Sequence, residues 1–91
     1  MNEGMFRNWV RILARENALD LDAPETKYSV WSYDGMKPWF VAAHRELSDA
    51  IKAARRSHSP SAIYILTGSV GPLVPLEALP KESGLQTSFP H

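Results

Sequence analysis

The chain has 91 residues, 44% of them hydrophobic and 22% charged, and it contains no cysteine. A chain of this length buries only about 60–65% of its unfolded surface, so it builds one core, and without thiols it has no disulfides, thiolate catalysis or thiolate metal sites. Ten acidic and ten basic side chains cancel to a formal net charge of zero, which weakens any case for strong nonspecific nucleic-acid binding, because that affinity comes mainly from neutralising phosphates.

Near the N-terminus, Phe6, Trp9, Val10 and Leu13 fall at i, i+3, i+4 and i+7. That spacing predicts an amphipathic helix over residues 5–18, with Asn2 or Glu3 as cap. Arg7, Arg11 and Arg15 recur every fourth residue and form a second stripe on the same helix. The segment lacks the apolar run and cleavage site of a secretory signal. No stretch approaches the ~20 apolar residues of a membrane span, so a cytoplasmic location without membrane contact is the expectation. Residues 19–26, with Asp20, Asp22 and Pro24, read as an acidic linker.

The next segment is the most informative. Lys27 to Tyr33 and Met36 to Ala42 are rich in aromatic and β-branched residues, and they flank Asp34-Gly35. This pattern predicts a β-hairpin over 27–42. Pro38 bears on its register, because a two-residue loop would set Pro38 opposite Trp31 at a hydrogen-bonded pair for which proline has no N–H. Either the loop is longer or the ladder has a gap; at a non-bonded pair, Pro38 marks an edge strand.

After Ala43 the period changes to that of a helix, with Leu47, Ala50, Ile51 and Ala54 on the apolar side. Acidic residues come early and basic ones late, which complements the helix dipole, and Ser57 to Pro60 ends the element. Ala62 to Thr67 reads as a buried strand, Gly68 to Gly71 as a turn, and Pro72 to Leu76 as a short edge strand. Glu77 to Leu79 can make one helical turn. The order α-β-β-α-β-(β) predicts an α+β fold: a small antiparallel sheet ordered 2-1-3-4, with an N-terminal amphipathic helix. Residues 1–80 are expected to form one domain, with residues 81–91 as a disordered tail.

For function, the hairpin weighs most. Side chains alternate across a strand, so each face of the ribbon carries at least one large aromatic whatever the register. The helix at 47–54 covers one face. Either the N-terminal helix covers the other with Phe6, Trp9 and Leu13, or part of it stays open as a partner surface. Trp31, Tyr33, Met36 and Phe40 are the expected anchors of such a surface, which would bind another protein or a second copy of the chain.

The main alternative is a nucleic-acid contact or regulatory role through Arg7, Arg11 and Arg15, which could track phosphates; a solvated helix face is the plainer reading. A small enzyme subunit ranks third. His44, His58 and His91 lack the spacing of helical metal ligands, so neither a metal nor another cofactor is expected. Glu46 and Asp49 are ordinary first-turn acids. The turn at 68–71 is followed by Pro72 rather than the helix start that a phosphate loop requires. These residues predict a small, noncatalytic protein-binding module.

Overall fold

The structure is a computed structural model that describes residues 2–57 and 62–79. Helix α1 spans Glu3–Glu16, β1 Tyr28–Tyr33, β2 Pro38–His44, α2 Leu47–Arg56, β3 Ala62–Thr67 and β4 Leu73–Pro75. Short 3-10 turns occupy Pro24–Thr26 and Leu76–Ala78. The strands form one antiparallel sheet in the order β2-β1-β3-β4, as the element order predicts. The tail expected at 81–91, together with His58 to Pro60 and His91, lies outside the described residues.

Alternation along β1 and β3 divides the core in two. Trp31 and Leu66 point to one face, where Phe6, Val10 and Ala14 of α1 meet them together with Leu21. Val30, Ile63 and Ile65 point to the other, where Ala50 and Ala54 of α2 pack. The molecule is therefore helix, sheet and helix in three layers. The α1 layer is filled by rings: Phe6 lies 5.4 Å from Tyr33 and 5.3 Å from Tyr64, centroid to centroid. The α2 layer instead uses alanines, whose small side chains let the helix sit close on the branched residues of the sheet.

Each end of α1 is fixed by local chemistry. Asn2 caps the start by accepting the Met5 N–H at 3.1 Å. At the other end Leu19 N–H donates to the Ala14 carbonyl and Ala18 N–H to the Arg15 carbonyl, the pair of bonds that closes a Schellman motif. Ala18 takes the left-handed φ of 54° that this motif usually gives to glycine.

The acidic segment after α1 is more than a linker. Leu21 inserts into the α1 layer, and Asp22 accepts hydrogen bonds from both the N–H and the hydroxyl of Ser69, at 3.0 and 2.9 Å. The Gly68 N–H donates to the Lys27 carbonyl at 2.7 Å. The segment thus ties the end of α1 to the β3–β4 turn, a long-range role that a local reading of turn residues does not convey.

The hairpin register resolves the question posed by Pro38. Tyr33 pairs with Pro38, so residues 34–37 form the loop, and Trp31 falls opposite Phe40. Asp34 organises this loop by accepting the N–H groups of Met36 and Lys37 at 2.8 and 3.1 Å, and Gly35 supplies a φ of 97°. Between Val30 and Trp31 the register slips by one residue. Val41 is the extra residue of a β-bulge, and beyond it Val30 pairs with Ala42. Pro38 and Phe40 consequently share a face with Tyr33 and Trp31, whereas Ala42 and His44 share the opposite face with Val30 and Tyr28.

Candidate functional site

The four expected anchors do not stay together. Trp31 is fully buried, at 0% exposure, beneath α1. Its indole N–H donates to the Ser29 hydroxyl at 2.8 Å, so the one polar atom of the ring is satisfied inside the core. Tyr33 is half-buried and packs against Phe6, with Tyr64 6.4 Å away. Helix α1 thus covers the centre of the second face, using Phe6, Val10, Leu13 and Ala14, with Trp9 half-buried at its margin.

Met36 and Phe40 do reach the surface, and two residues join them. Met36 is 83% exposed, Trp39 51%, Phe40 37% and Val41 36%. All four belong to the hairpin loop or to β2, an edge strand of the sheet. An edge strand has one side of its backbone outside the sheet, and among the described residues no strand pairs with the outer side of β2. Phe40 is anchored from behind by Trp31, with ring centroids 5.3 Å apart.

The loop end of this run has a charged cover. Lys37 Nζ sits 4.6 Å from the Trp39 ring and 5.3 Å from the Trp9 ring, within cation–π range of both. The Trp39 indole N–H approaches the Asp34 carboxylate at 3.4 Å. Trp39 is therefore oriented by its neighbours although half of it faces solvent.

Sequence reasoning missed Trp39 and Val41. Alternation alone places them with Tyr28 and Val30 on the face that α2 covers. In the structure the bulge takes Val41 out of that series, and α2 packs on Val30, Ile63, Ile65 and Ala42, leaving Trp39 half in solvent. The signal in the sequence was the run Trp39-Phe40-Val41 itself, which has no polar residue to alternate with.

The arginine stripe occupies a different flank of α1. Arg7 is engaged by Glu3 at 2.8 Å and by the Gly71 carbonyl at 2.7 Å. Arg11 donates to the Asn8 side-chain oxygen at 3.4 Å, and Arg15 is exposed. Two open hollows of about 290 and 370 Å³ lie along this flank, and both are lined by Arg11 and Ser69. Among the described residues no group of three histidine or acidic side chains converges as a metal set would. None of the described helices is long and apolar enough to cross a membrane.

No protein family, characterised protein or solved structure matches the chain.

Proposed function

We propose that this protein is a small noncatalytic association module that binds a second copy of itself through the outer edge of β2. The observation that carries the reading is the unbroken exposed run Trp39-Phe40-Val41 on an edge strand, extended by Met36 in the loop. Aromatic residues and methionine are typical anchors of protein interfaces. A two-fold contact requires a surface that complements itself. The exposed rings offer such a surface, because the same apolar side chains of two copies can meet about a shared axis. Zero net charge also leaves little long-range repulsion between copies.

Solution mass by light scattering tests this directly. The native chain is expected to shift from monomer to dimer with rising concentration, and Trp39→Ala to remain monomeric with an unchanged far-ultraviolet circular dichroism spectrum. A native chain that stays monomeric up to its solubility limit overturns the proposal, as does a Trp39→Ala variant that dimerises as the native chain does.

A further inference from the structure

The contact between the hairpin loop and α1 bears on how the β2 edge is presented. Pro38 is fully buried, so the backbone beside Trp39 is held in place. The freedom left to the Trp39 ring is rotation about its own side-chain dihedrals. Half of that ring faces solvent, and an exposed side chain moves rapidly among staggered rotamers unless something holds it. Whatever selects one rotamer must touch the ring itself.

Two groups do. The Asp34 carboxylate gives one oxygen to the N–H groups of Met36 and Lys37, at 2.8 and 3.1 Å, and turns the other to the Trp39 indole N–H at 3.4 Å. That last distance lies beyond the ~2.7–3.2 Å of a well-made N–H···O bond, so on its own it orients the ring weakly. The Lys37 ammonium, 4.6 Å from the Trp39 centroid, is well inside the ~6 Å range of cation–π attraction. The same ammonium lies 5.3 Å from the Trp9 centroid, and among the described residues no carboxylate stands at ion-pair distance from it. An aromatic ring is negative over its face and positive at its edge; Trp39 meets a cation at its face and a carboxylate at its N–H edge. One cation thus joins a ring of α1 to a ring of β2.

We infer that Lys37 is a positioning residue of the β2 edge, linking Trp39 to Trp9 of α1 and ordering the ring before a second copy meets it. The role rests on the self-association proposed above, and it is one of preorganisation. A mobile ring gives up its rotamer freedom when an interface buries it, whereas a ring already held gives up little. Lys37 therefore favours association without itself touching the second copy. Releasing one such side chain weakens association by about two- to tenfold.

Lys37→Gln, Lys37→Arg and Arg56→Gln test this in the full chain; the last removes the same unit of charge from α2. Nuclear magnetic resonance relaxation of the tryptophan indole N–H groups is measured at a concentration where the chain is monomeric, with Trp39→Ala assigning its signal. Lys37→Gln is expected to raise the mobility of the Trp39 indole and to leave the buried Trp31 indole, bonded to Ser29, unchanged. The dimer dissociation constant, from light scattering, is expected to rise about two- to tenfold in Lys37→Gln. Lys37→Arg, which keeps the cation, should stay close to the native chain in both measurements, and so should Arg56→Gln. A Trp39 indole as restricted in Lys37→Gln as in the native chain overturns the role, as does a mobile ring with an unchanged dissociation constant. A native chain that never dimerises instead defeats the self-association reading. The indole measurement then decides alone: mobility raised by Lys37→Gln supports the ordering of Trp39 by Lys37, and equal mobility overturns it.

Discussion

The two edges of the sheet are built on opposite principles. β4 is three residues long, lies between Pro72 and the 3-10 turn that begins at Leu76, and ends in Pro75. Its side chains are all half-buried, and its prolines offer no N–H to an incoming strand. Such an edge resists pairing. β2 is seven residues long and leaves Trp39, Phe40 and Val41 in solvent. Pro38 and the bulge at Val41 interrupt regular backbone pairing along it, so what this edge presents is its exposed side chains rather than a ladder. Exposure on β2 is therefore not a general property of a small sheet lacking enough helices to cover it. The same sheet blunts one edge and presents aromatic rings at the other.

The hardest way to break that comparison lies one strand inward. Trp31 and Trp39 are eight positions apart in sequence, yet one is fully buried and the other half-exposed. Trp31→Ala removes the largest fully buried side chain and should cost ~3–5 kcal/mol. That is a large share of the ~5–15 kcal/mol that holds a domain together. Urea denaturation is expected to show a variant that is mostly unfolded or has a far lower midpoint. A Trp31→Ala variant as stable as Trp39→Ala would mean that α1 does not seal the inner ring, and the distinction between core and edge aromatics would fail.

The β4 edge has its own weak point. Gly71 closes the turn that delivers β4, donating its N–H to the Thr67 carbonyl at 2.9 Å, while Thr67 N–H donates to the Pro72 carbonyl at 3.0 Å. A Cβ on residue 71 would lie 2.2 Å from that same Thr67 oxygen, an overlap with backbone that the turn can relieve only by opening. Gly71→Ala should therefore cost ~1–3 kcal/mol and speed amide exchange at Thr67 and Ile65, whose N–H groups face β4, more than in β1. Exchange that accelerates equally in β1 and β3 would show that β4 is not a separable edge.

Local chemistry made much of this fold legible in the sequence. Period changes located both helices, Asp34-Gly35 located the hairpin, and the connection through a helix placed the third strand beside the first. The proposed partner surface was legible only in part. Trp31, Tyr33, Met36 and Phe40 share an aromatic or apolar character that sequence cannot divide into inner and outer, because their burial depends on where α1 lies across the sheet. The one-residue slip at Val41 was also invisible, since nothing in Val-Ala-Ala announces a bulge. Likewise, Asp22 reads as a loop acid, and its tie to Ser69 spans 47 positions. Asp22 and Ser69 both line the hollow beside Arg11, so the arginine stripe could be seen in the sequence but not the concavity it borders.

The smallest expected effect concerns the loop that sets the β2 register. The N–H groups of Lys37 and then Met36 hold the Asp34 carboxyl below the usual aspartate range, with a lesser contribution from the Trp39 indole. The folded carboxyl therefore releases its proton at lower pH than the unfolded one, and between the two values the unfolded chain carries more protons. The stabilisation is fully present above the unfolded value, near 3.9, and disappears as pH falls through the folded value. Asp34→Ala should be slightly less stable than the native chain at about pH 7 and nearly equal to it well below pH ~3, as read from urea midpoints at the two pH values. Because the same loop sets Trp39 opposite Ser32, the variant should also associate more weakly at neutral pH. A stability deficit that is unchanged in acid would show that the loop rests on the left-handed Gly35 rather than on the carboxylate, and that the orientation of Trp39 at the β2 edge does not depend on charge.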